Sequence, residues 1–507
     1  MTAQPAARLP HSAAASVRLP RAGTTVVVLL AVAASLAPGL LPRGPVLQGL
    51  FTGALAALVL LPLAATRPVT RRIGWLPRSR QSTRVLALLA AAAGVGPILL
   101  AADHWQDGIR QAMGLPVTGP AHWLTVTAVA ATTFVALRAT GLGVARVARH
   151  LGPLGSASAL AVSAVTIQLF VGPMVWDQFT RSYGAANSVV DLSLPRPASA
   201  TLSGASESRV SWESLGTQGR RFVSDGDTAV RTYVGLESAP DVDERAALAV
   251  AELSRAGGFD RSAVVVAVPT GSGWIDANAA SGFEERFAGD VAIVGMQYSV
   301  APSWVTFLFD RSAADTSARA LFHAVATHIG TLPAGDRPDL YVYGQSLGAV
   351  GGNAVFDGSA DDAVFDGSAD DAVSDGRDVN ELVCGALWAG PPAGSVRTPD
   401  ATVLANSSDP VVHWSPQLLW RAPDLTGTRT DAPRPSWIPG ISFLQTSLDL
   451  ATALSVPAGH GHRYGSDQGT ELPVCADTNP AAAPGGAEVQ AGNPIGPRAA
   501  SNAAPTR

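Results

Sequence analysis

The stretch Asp339-Leu-Tyr-Val-Tyr-Gly-Gln-Ser-Leu-Gly-Ala349 is a short apolar strand that runs directly into a Gly-x-Ser-x-Gly turn. In this pattern a sharp turn between a strand and a helix holds one serine at the edge of a sheet. Glycines flank the serine because the turn leaves no room for side chains beside it. Ser346 is therefore the first candidate nucleophile. The pattern alone is weak in a chain with 51 glycines among 507 residues, so the rest of the sequence must support it.

An acid and a histidine should follow such a serine, in the order Ser, Asp, His. Asp409 comes just after an apolar strand at 402–406, and a Gly-His-Gly-His turn lies near the end of the foldable chain. Either His460 or His462 can take the serine proton, with Asp409 fixing the imidazole tautomer. We favour His460, which has a glycine on each side. An Asx turn before proline is the alternative for Asp409, and a solvated loop or a chance metal ligand is the alternative for the two histidines.

An oxyanion hole is also required, because stabilising the tetrahedral oxyanion is usually the largest contribution to acyl-transfer catalysis. One donor is the backbone N–H of Leu347, the residue after the candidate nucleophile. The other donor normally comes from the loop after an earlier strand, and a glycine-rich turn follows the strand at 262–268. The candidate donors in that turn are Gly271, Ser272, Gly273 and Trp274. A plain glycine-rich turn is the alternative.

Near-continuous apolar strands alternate with amphipathic helices between residues 226 and 475. This pattern predicts a mainly parallel sheet with helices on both faces. The predicted strands are 263–268, 291–297, 340–343, 382–387 and 402–406, with 231–236 as a candidate earlier strand, and the predicted helices are 241–256, 316–329 and 441–454. No final strand is evident between Asp409 and His460, so the Pro- and Trp-rich segment there is a candidate cap or membrane-contacting lid.

Five apolar runs precede this domain, each long enough to cross a hydrocarbon core of about 30 Å. The runs are 24–41, 45–65, 85–102, 121–137 and 157–176. A cleaved signal peptide is the alternative for the first run, but no clear small-residue cleavage site ends it. The straightforward prediction is a transmembrane domain of about five helices.

Arginine placement predicts the orientation of these runs, because basic residues collect in cytoplasmic loops. Twelve arginines lie on the side of the amino terminus and two lie on the opposite side. The twelve are Arg8, Arg18, Arg21, Arg67, Arg71, Arg72, Arg78, Arg80, Arg84, Arg138, Arg146 and Arg149; the two are Arg43 and Arg110. The amino terminus is then cytoplasmic, and five crossings place everything after Trp176 outside. There a disulfide between Cys384 and Cys475, the only cysteines, can persist, although two free thiols remain the alternative.

The remaining features bound the function. The net charge of −5 neither supports nor excludes a nucleic-acid partner. No basic stripe with interleaved aromatic residues occurs outside the membrane-flanking loops, so we predict no nucleic-acid partner. We predict no cofactor and no metal, and the sequence gives no indication of oligomeric state. A nonapeptide at 354–362 repeats identically at 363–371. Two copies are too few for a calcium-binding roll, so 354–376 is predicted to be a surface insertion, and the Ala- and Pro-rich tail at 476–507 is predicted to be disordered.

Several motifs together resemble the actinobacterial membrane-bound α/β-hydrolases, which join an N-terminal multi-span domain to a C-terminal hydrolase domain. The motifs are Gly219-Arg-Arg-Phe-Val223, Tyr233-Val-Gly-Leu-Glu-Ser-Ala239, Val268-Pro-Thr-Gly-Ser-Gly-Trp-Ile275, Met296-Gln-Tyr-Ser299 with Pro302-Ser-Trp304, Gly344-Gln-Ser-Leu-Gly348, Leu387-Trp-Ala-Gly-Pro-Pro392 and Gly459-His-Gly-His462. The resemblance covers most of residues 20–470. It implies an N-terminal α-helical transmembrane bundle, a C-terminal α/β-hydrolase fold and a serine hydrolase activity without a defined substrate. The nonapeptide duplication departs from the family pattern.

The expected domain organisation has five parts. They are a cytoplasmic amino terminus at 1–23, a transmembrane domain at 24–176, a linker and lead-in segment at 177–225, a catalytic domain at 226–475 and the tail at 476–507. We expect a multi-pass cell-membrane protein whose extracytoplasmic domain cleaves an ester or acyl bond of a lipid or cell-envelope substrate. An envelope acyltransferase with the same residues, and a non-catalytic membrane receptor or scaffold with a degenerate hydrolase domain, are the alternatives.

Overall fold

The computed structural model describes residues 19–63, 80–226, 229–357 and 383–475. Most of the predicted cytoplasmic amino terminus, most of the predicted 354–376 insertion and the predicted disordered tail lie outside the described residues. Six of the arginines used to predict orientation, Arg8, Arg18, Arg67, Arg71, Arg72 and Arg78, also lie outside them.

Long apolar helices occupy the N-terminal part of the chain. They are α1 (Ala22–Ser35), α2 (Pro45–Leu58), α3 (Gln81–Ala112), α4 (Pro120–Thr166) and α5 (Gly172–Ser188), with a π-helical stretch at Ile167–Val171 between α4 and α5. Among the described residues, three helical stretches are long and apolar enough to cross a membrane, namely Pro45–Leu63, Gln81–Ala112 and Pro120–Ser188. Many apolar side chains of these helices are exposed, as expected of helices that face lipid. These features suggest membrane association.

The helices differ in length from the five predicted runs. Helix α1 has 14 residues and ends at Ser35, before Pro38, so it is shorter than the first run. The fourth and fifth runs lie within one helical stretch that is broken at Gly152, where φ is 69° and Pro153 follows. Because a residue before proline disfavours the α conformation, this break is where a chain would separate two crossings. The number of crossings stays a prediction.

In the ranges that the structure describes, a six-stranded, all-parallel sheet forms the centre of the C-terminal part. The strands are β1 (Val230–Val234), β2 (Ala263–Val268), β3 (Val291–Met296), β4 (Asp339–Gln345), β5 (Gly385–Ala389) and β6 (Thr402–Leu404). Their order across the sheet is β1-β3-β2-β4-β5-β6. The strands β1, β2 and β3 are buried along their whole length, as both-face coverage requires. All strands end at one edge, where the loops that carry the candidate site residues begin.

Helices cover both faces of this sheet, which confirms the predicted fold class. They are α6 (Gly216–Ser224), α7 (Val242–Arg255), α8 (Ala277–Arg286), α9 (Ser303–Phe309), α10 (Arg311–Thr331), α11 (Leu347–Phe356), α12 (Pro410–His413) and α13 (Ile441–Asp449). Helices α7, α10 and α11 pack together. Helix α8 packs against a 3-10 turn at Ser466–Gly469 on the other face. The connection from β2 to β3 runs across the sheet in the opposite direction to the connection from β1 to β2. Because such connections are right-handed, the helix between β2 and β3 lies on the opposite face.

The candidate cap segment between Asp409 and His460 contains no strand among its described residues. It packs against the N-terminal part through a buried cluster that contains Val456, Leu41 and Ile109. Helix α13 ends at Asp449, which is completely buried and paired with the equally buried Arg43 of the loop between α1 and α2. Arg43 Nε donates to Asp449 Oδ1 at 2.9 Å, and Leu40 N donates to Asp449 Oδ2 at 2.7 Å. Burial raises the pKa of Asp449, and the neighbouring Arg43 guanidinium opposes that shift.

A disulfide joins Cys384 and Cys475, which are 91 residues apart in the sequence. Of the two alternatives left open by the sequence, the structure therefore contains the paired form. Cys384 immediately precedes β5, and its backbone N–H donates to Leu340 O at 2.8 Å. The bond thus fixes the last described residue to the edge where the strands begin. The Asp339 carboxylate lies within 4.8 Å of the two sulfur atoms, but sulfurs joined in a disulfide do not act as thiolate ligands.

The Arg43–Asp449 pair generates a stability prediction. Replacing Asp449 by alanine leaves the Arg43 guanidinium buried without a counter-charge, which costs about 3–5 kcal/mol in comparable buried pairs. We therefore expect Asp449→Ala to lower the thermal unfolding midpoint of the detergent-solubilised full chain clearly. The double variant Arg43→Met with Asp449→Leu should recover most of the loss, because an apolar pair of similar volume removes the uncompensated charge.

The exposed pair between Asp177 and Arg181 provides a matched control. Because solvent screens that pair, Asp177→Ala should leave the unfolding midpoint unchanged. An Asp449→Ala protein that unfolds at the wild-type temperature would contradict the structural role given to the buried pair.

Candidate active site

Ser346 occupies the turn between β4 and α11 in a conformation that few non-glycine residues adopt. Its φ is 55° and its ψ is −121°, and among the described non-glycine residues only Ala288 shares a positive φ. Strain of this kind is typical of a nucleophile elbow. Ser346 is partly exposed, whereas Gln345 and Leu347 on either side of it are 2% and 1% exposed. The turn therefore presents one hydroxyl from an otherwise buried backbone.

The glycines of the elbow are required by close backbone contacts. A Cβ atom on Gly344 would lie 2.4 Å from the carbonyl oxygen of Gly348, and one on Gly348 would lie 2.2 Å from the carbonyl oxygen of Val268. Both distances are far below van der Waals contact. The second contact also brings the end of β2, and the glycine-rich turn after it, directly beside Ser346.

Asp409 and His462 form a buried hydrogen-bonded pair. The distance between His462 Nδ1 and Asp409 Oδ2 is 2.7 Å, and the two residues are 6% and 0% exposed. The other carboxylate oxygen of Asp409 accepts from Val411 N at 2.8 Å and caps α12. The Asx-type turn expected as an alternative is thus present together with the histidine contact. A histidine bonded through Nδ1 to a buried carboxylate has its Nε2 available for proton transfer.

Tyr464 is a site residue that the sequence analysis missed. Its hydroxyl donates to Asp409 Oδ2 at 2.8 Å, so one carboxylate oxygen is bound by both the histidine and the tyrosine. Burial and the nearby Asp409 carboxylate raise the pKa of Tyr464 well above its ordinary value, which keeps the hydroxyl protonated and able to donate. The signal available in the sequence was its position two residues after His462, since alternate residues of an extended segment share a side.

His460, the histidine preferred in the sequence analysis, lies against a different acid. Its Nδ1 is 3.3 Å from Asp431 Oδ2, and its side chain is 20% exposed. The backbone at Gly461 has a φ of 53°, so the chain turns sharply between the two histidines and directs them to different carboxylates. The geometry therefore contradicts a pairing of His460 with Asp409 and favours the alternative, His462.

Ser346 and the Asp409–His462 pair meet around the end of β5. Ser346 N donates to Ala389 O at 3.0 Å, and the next residue, Gly390, would place a Cβ 2.8 Å from both Asp409 Oδ2 and His462 Nδ1. Gln345 Nε2 donates to the His462 carbonyl oxygen at 3.1 Å. Within the part of the chain that the structure describes, no hydrogen bond joins Ser346 Oγ to the His462 ring. Such bonds are often long in the absence of substrate.

The candidate oxyanion donors differ in what their N–H groups already bind. Leu347 N is at the start of α11 and has no acceptor among the described residues. In the turn after β2, Gly271 N donates to Ser303 Oγ at 3.2 Å and Gly273 N donates to Thr270 O at 2.8 Å. The N–H groups of Ser272 and Trp274 have no acceptor in the described ranges. These two, rather than the glycines, are thus the candidates for the second donor.

A parallel sheet with a strained serine elbow, and an acid and a histidine from later loops, defines the α/β-hydrolase class. The Alpha/beta-hydrolase family matches residues 230–402 and 395–478, and the Alpha/beta-hydrolase family N-terminus matches residues 36–226. The chain therefore belongs to this α/β-hydrolase family. No curated protein and no solved structure matches it. The family membership establishes a hydrolase-like fold, without a substrate.

The close contacts at the elbow predict a strong effect of single methyl groups. Gly348→Ala forces a Cβ against the Val268 carbonyl oxygen, and overpacking of this kind costs about 1–3 kcal/mol. We expect a lower unfolding midpoint for Gly348→Ala by differential scanning fluorimetry. Gly330→Ala is the matched control because a Cβ there meets nothing within 4 Å, and it should be neutral or slightly stabilising. Equal midpoints for the two variants would show that the elbow is not tightly packed.

Proposed function

We propose that the protein is a membrane-anchored serine hydrolase in which Ser346 is the nucleophile, His462 the general base and Asp409 the residue that orients the histidine. The hydrogen bond of 2.7 Å between Asp409 and His462 carries this proposal. It is supported by the strained conformation of Ser346 and by the Gln345 contact to the His462 backbone. A degenerate scaffold domain would have no need of a buried Asp–His pair beside a partly exposed serine.

The proposed reaction is a two-step acyl transfer. Ser346 Oγ attacks the substrate carbonyl carbon while its proton passes to His462 Nε2, and Asp409 stabilises the resulting imidazolium. The oxyanion that forms accepts hydrogen bonds from Leu347 N and from a donor in the turn after β2. Its collapse expels the alcohol, which takes the proton from His462, and leaves an acyl group on Ser346. A water molecule then gives its proton to His462, attacks the acyl carbon and releases the acid and the free serine.

The proposed substrate is a lipid or cell-envelope ester. The hydrolase domain is fixed to the apolar helices through the buried Arg43–Asp449 pair, so the site stays close to a membrane. We further propose five crossings with the catalytic domain outside the cytoplasm. The arginine asymmetry of the sequence supports a catalytic domain outside the cytoplasm. The disulfide supports it as well, because disulfides persist in oxidising compartments.

The assignment of the base predicts a ranking of histidine variants. Triad members act as a unit, so His462→Ala should lower kcat for a soluble ester by about 10³-fold or more and match Ser346→Ala. His460→Ala removes only the contact with Asp431 and should retain activity within about tenfold of wild type. Ester hydrolysis and labelling by a fluorophosphonate probe measure this ranking.

A wild-type protein that fails to label, and that behaves like Ser346→Ala, would refute the enzyme assignment. If His460→Ala is inactive and His462→Ala is active, the enzyme assignment survives and the choice of base is wrong. Product analysis with and without an added alcohol acceptor separates hydrolysis from acyl transfer to an envelope acceptor, because both reactions share the acyl-enzyme.

The proposed topology predicts the behaviour of reporter fusions. A reporter that is active only outside the cytoplasm should be active when it is fused after Asn187, because that position follows the last apolar run. The same reporter fused after Ser79 should be silent. A silent Asn187 fusion of normal abundance would place the catalytic domain in the cytoplasm and exclude envelope substrates.

A further inference from the structure

Helix α9 lies beside the candidate site and carries two large aromatic side chains on its outer surface. We infer that α9 lies in the surface of the bilayer and admits the acyl chain of a membrane lipid to the site. This inference rests on the proposed function for the part that concerns the substrate. The placement of α9 in the lipid surface is independent of it.

The inner side of α9 is bound to the candidate site. Gly271 N donates to Ser303 Oγ at 3.2 Å, and Val305 and Thr306 are 3% and 2% exposed. Phe307 packs against a buried cluster that contains Leu347, the residue after Ser346. Helix α9 therefore forms one wall of the region between Ser346 and the turn after β2.

The outer side of α9 is unusually apolar for a surface in water. Trp304 is 61% exposed and Phe309 is 66% exposed. Two large aromatic side chains left in water forgo the favourable free energy of burial. An exposed apolar patch of this kind commonly marks an interaction site.

The end of the last apolar run shows where the bilayer surface lies. Phe170, Met174 and Trp176 are exposed by 68%, 65% and 45%, and no charged residue occurs between Arg149 and Asp177. Asp177 then forms an ion pair with Arg181, and both side chains are exposed. The hydrocarbon region should therefore end close to Trp176, since charged side chains are excluded from it.

Aromatic residues cluster at this same level. The ring centroids of Trp176 and Phe179 are 5.9 Å apart, and those of Phe179 and Tyr183 are 4.5 Å apart. Trp and Tyr collect where hydrocarbon meets water. Phe309 of α9 packs edge-on against Trp176, with centroids 5.2 Å apart. The contact places Phe309, and with it the last turn of α9, at the depth of this aromatic belt. The occupant that fits the exposed Trp304 and Phe309 is therefore the lipid surface itself.

The placement can be measured with a single fluorophore on the full-length protein in phospholipid vesicles. Both native cysteines are used by the disulfide, so a cysteine introduced by Trp304→Cys is a unique free thiol for nitrobenzoxadiazole. Its emission should shift to the blue and be quenched by phospholipids brominated on the upper part of the acyl chain. Ser254→Cys is the matched control, because Ser254 is exposed near the end of α7, at the opposite edge of the sheet, and its label should respond like a label in water.

Substrate admission is tested with Trp304→Ser and Phe309→Ser on two esters. With a long-chain ester embedded in vesicles, kcat/KM should fall about tenfold for each variant, because an aromatic contact with the lipid is lost. With a short water-soluble ester, kcat/KM should stay within about twofold of wild type, because neither residue belongs to the triad. Trp304→Phe should keep most of the activity towards the vesicle ester.

The outcomes are distinguishable. If brominated lipid does not quench the Trp304→Cys label, α9 does not lie in the bilayer surface. An unquenched label whose emission is still shifted to the blue indicates contact with a second protein surface instead. Equal losses on both esters overturn the admission of a lipid chain and indicate a folding defect. If the wild-type protein hydrolyses neither ester, the proposed function fails and admission fails with it, while the fluorescence still decides the placement.

Discussion

The backbone contact between the elbow and the end of β2 is the constraint on which the site depends. Val268 O lies so close to Gly348 that any side chain there is excluded. This contact forces β4 to turn sharply into α11, and Ser346 takes the strained positive φ as a result. The same contact sets the turn after β2 beside the start of α11. One backbone contact therefore positions both the candidate nucleophile and the candidate oxyanion donors. The hydrogen bonds of β4 to β2 on one side and to β5 on the other offset the unfavourable free energy of the strained Ser346 conformation.

Much of the fold could be predicted from the sequence because strands of a parallel sheet that is covered on both faces are apolar at nearly every position. Runs such as Ala263–Val268 and Val291–Met296 are apolar at every position and recur between amphipathic helices, which leaves few other architectures. Ser346 and Asp409 could be predicted as candidate site residues because Ser346 directly follows one strand and Asp409 lies in the loop after another. Chain order then constrains their edge of the sheet. The helical break at Gly152 was not anticipated, since φ is a property of the folded backbone and many glycines of this chain lie in ordinary helix or strand.

The choice between the two histidines could not be made from sequence, for a physical reason. His460 and His462 share a turn, and which one meets Asp409 depends on how that turn is anchored. Asn406 Nδ2 donates to Gly461 O at 2.9 Å, and Ser408 Oγ accepts from Gly461 N at 2.8 Å. These long-range bonds, together with the Asp431 contact of His460, rotate the turn so that His462 points inward. The flanking glycines indicated only that the backbone at His460 is flexible. Backbone flexibility does not determine which way a histidine side chain points.

The disulfide has a consequence for how the protein can be handled. Because Cys384 sits where β5 begins, Cys475 is held at the edge of the sheet opposite to Ser346. A reducing agent would therefore break a cross-link at that far edge without breaking any bond of the candidate site. Comparing the oxidised with the reduced protein thus separates the contribution of this cross-link from that of the candidate site.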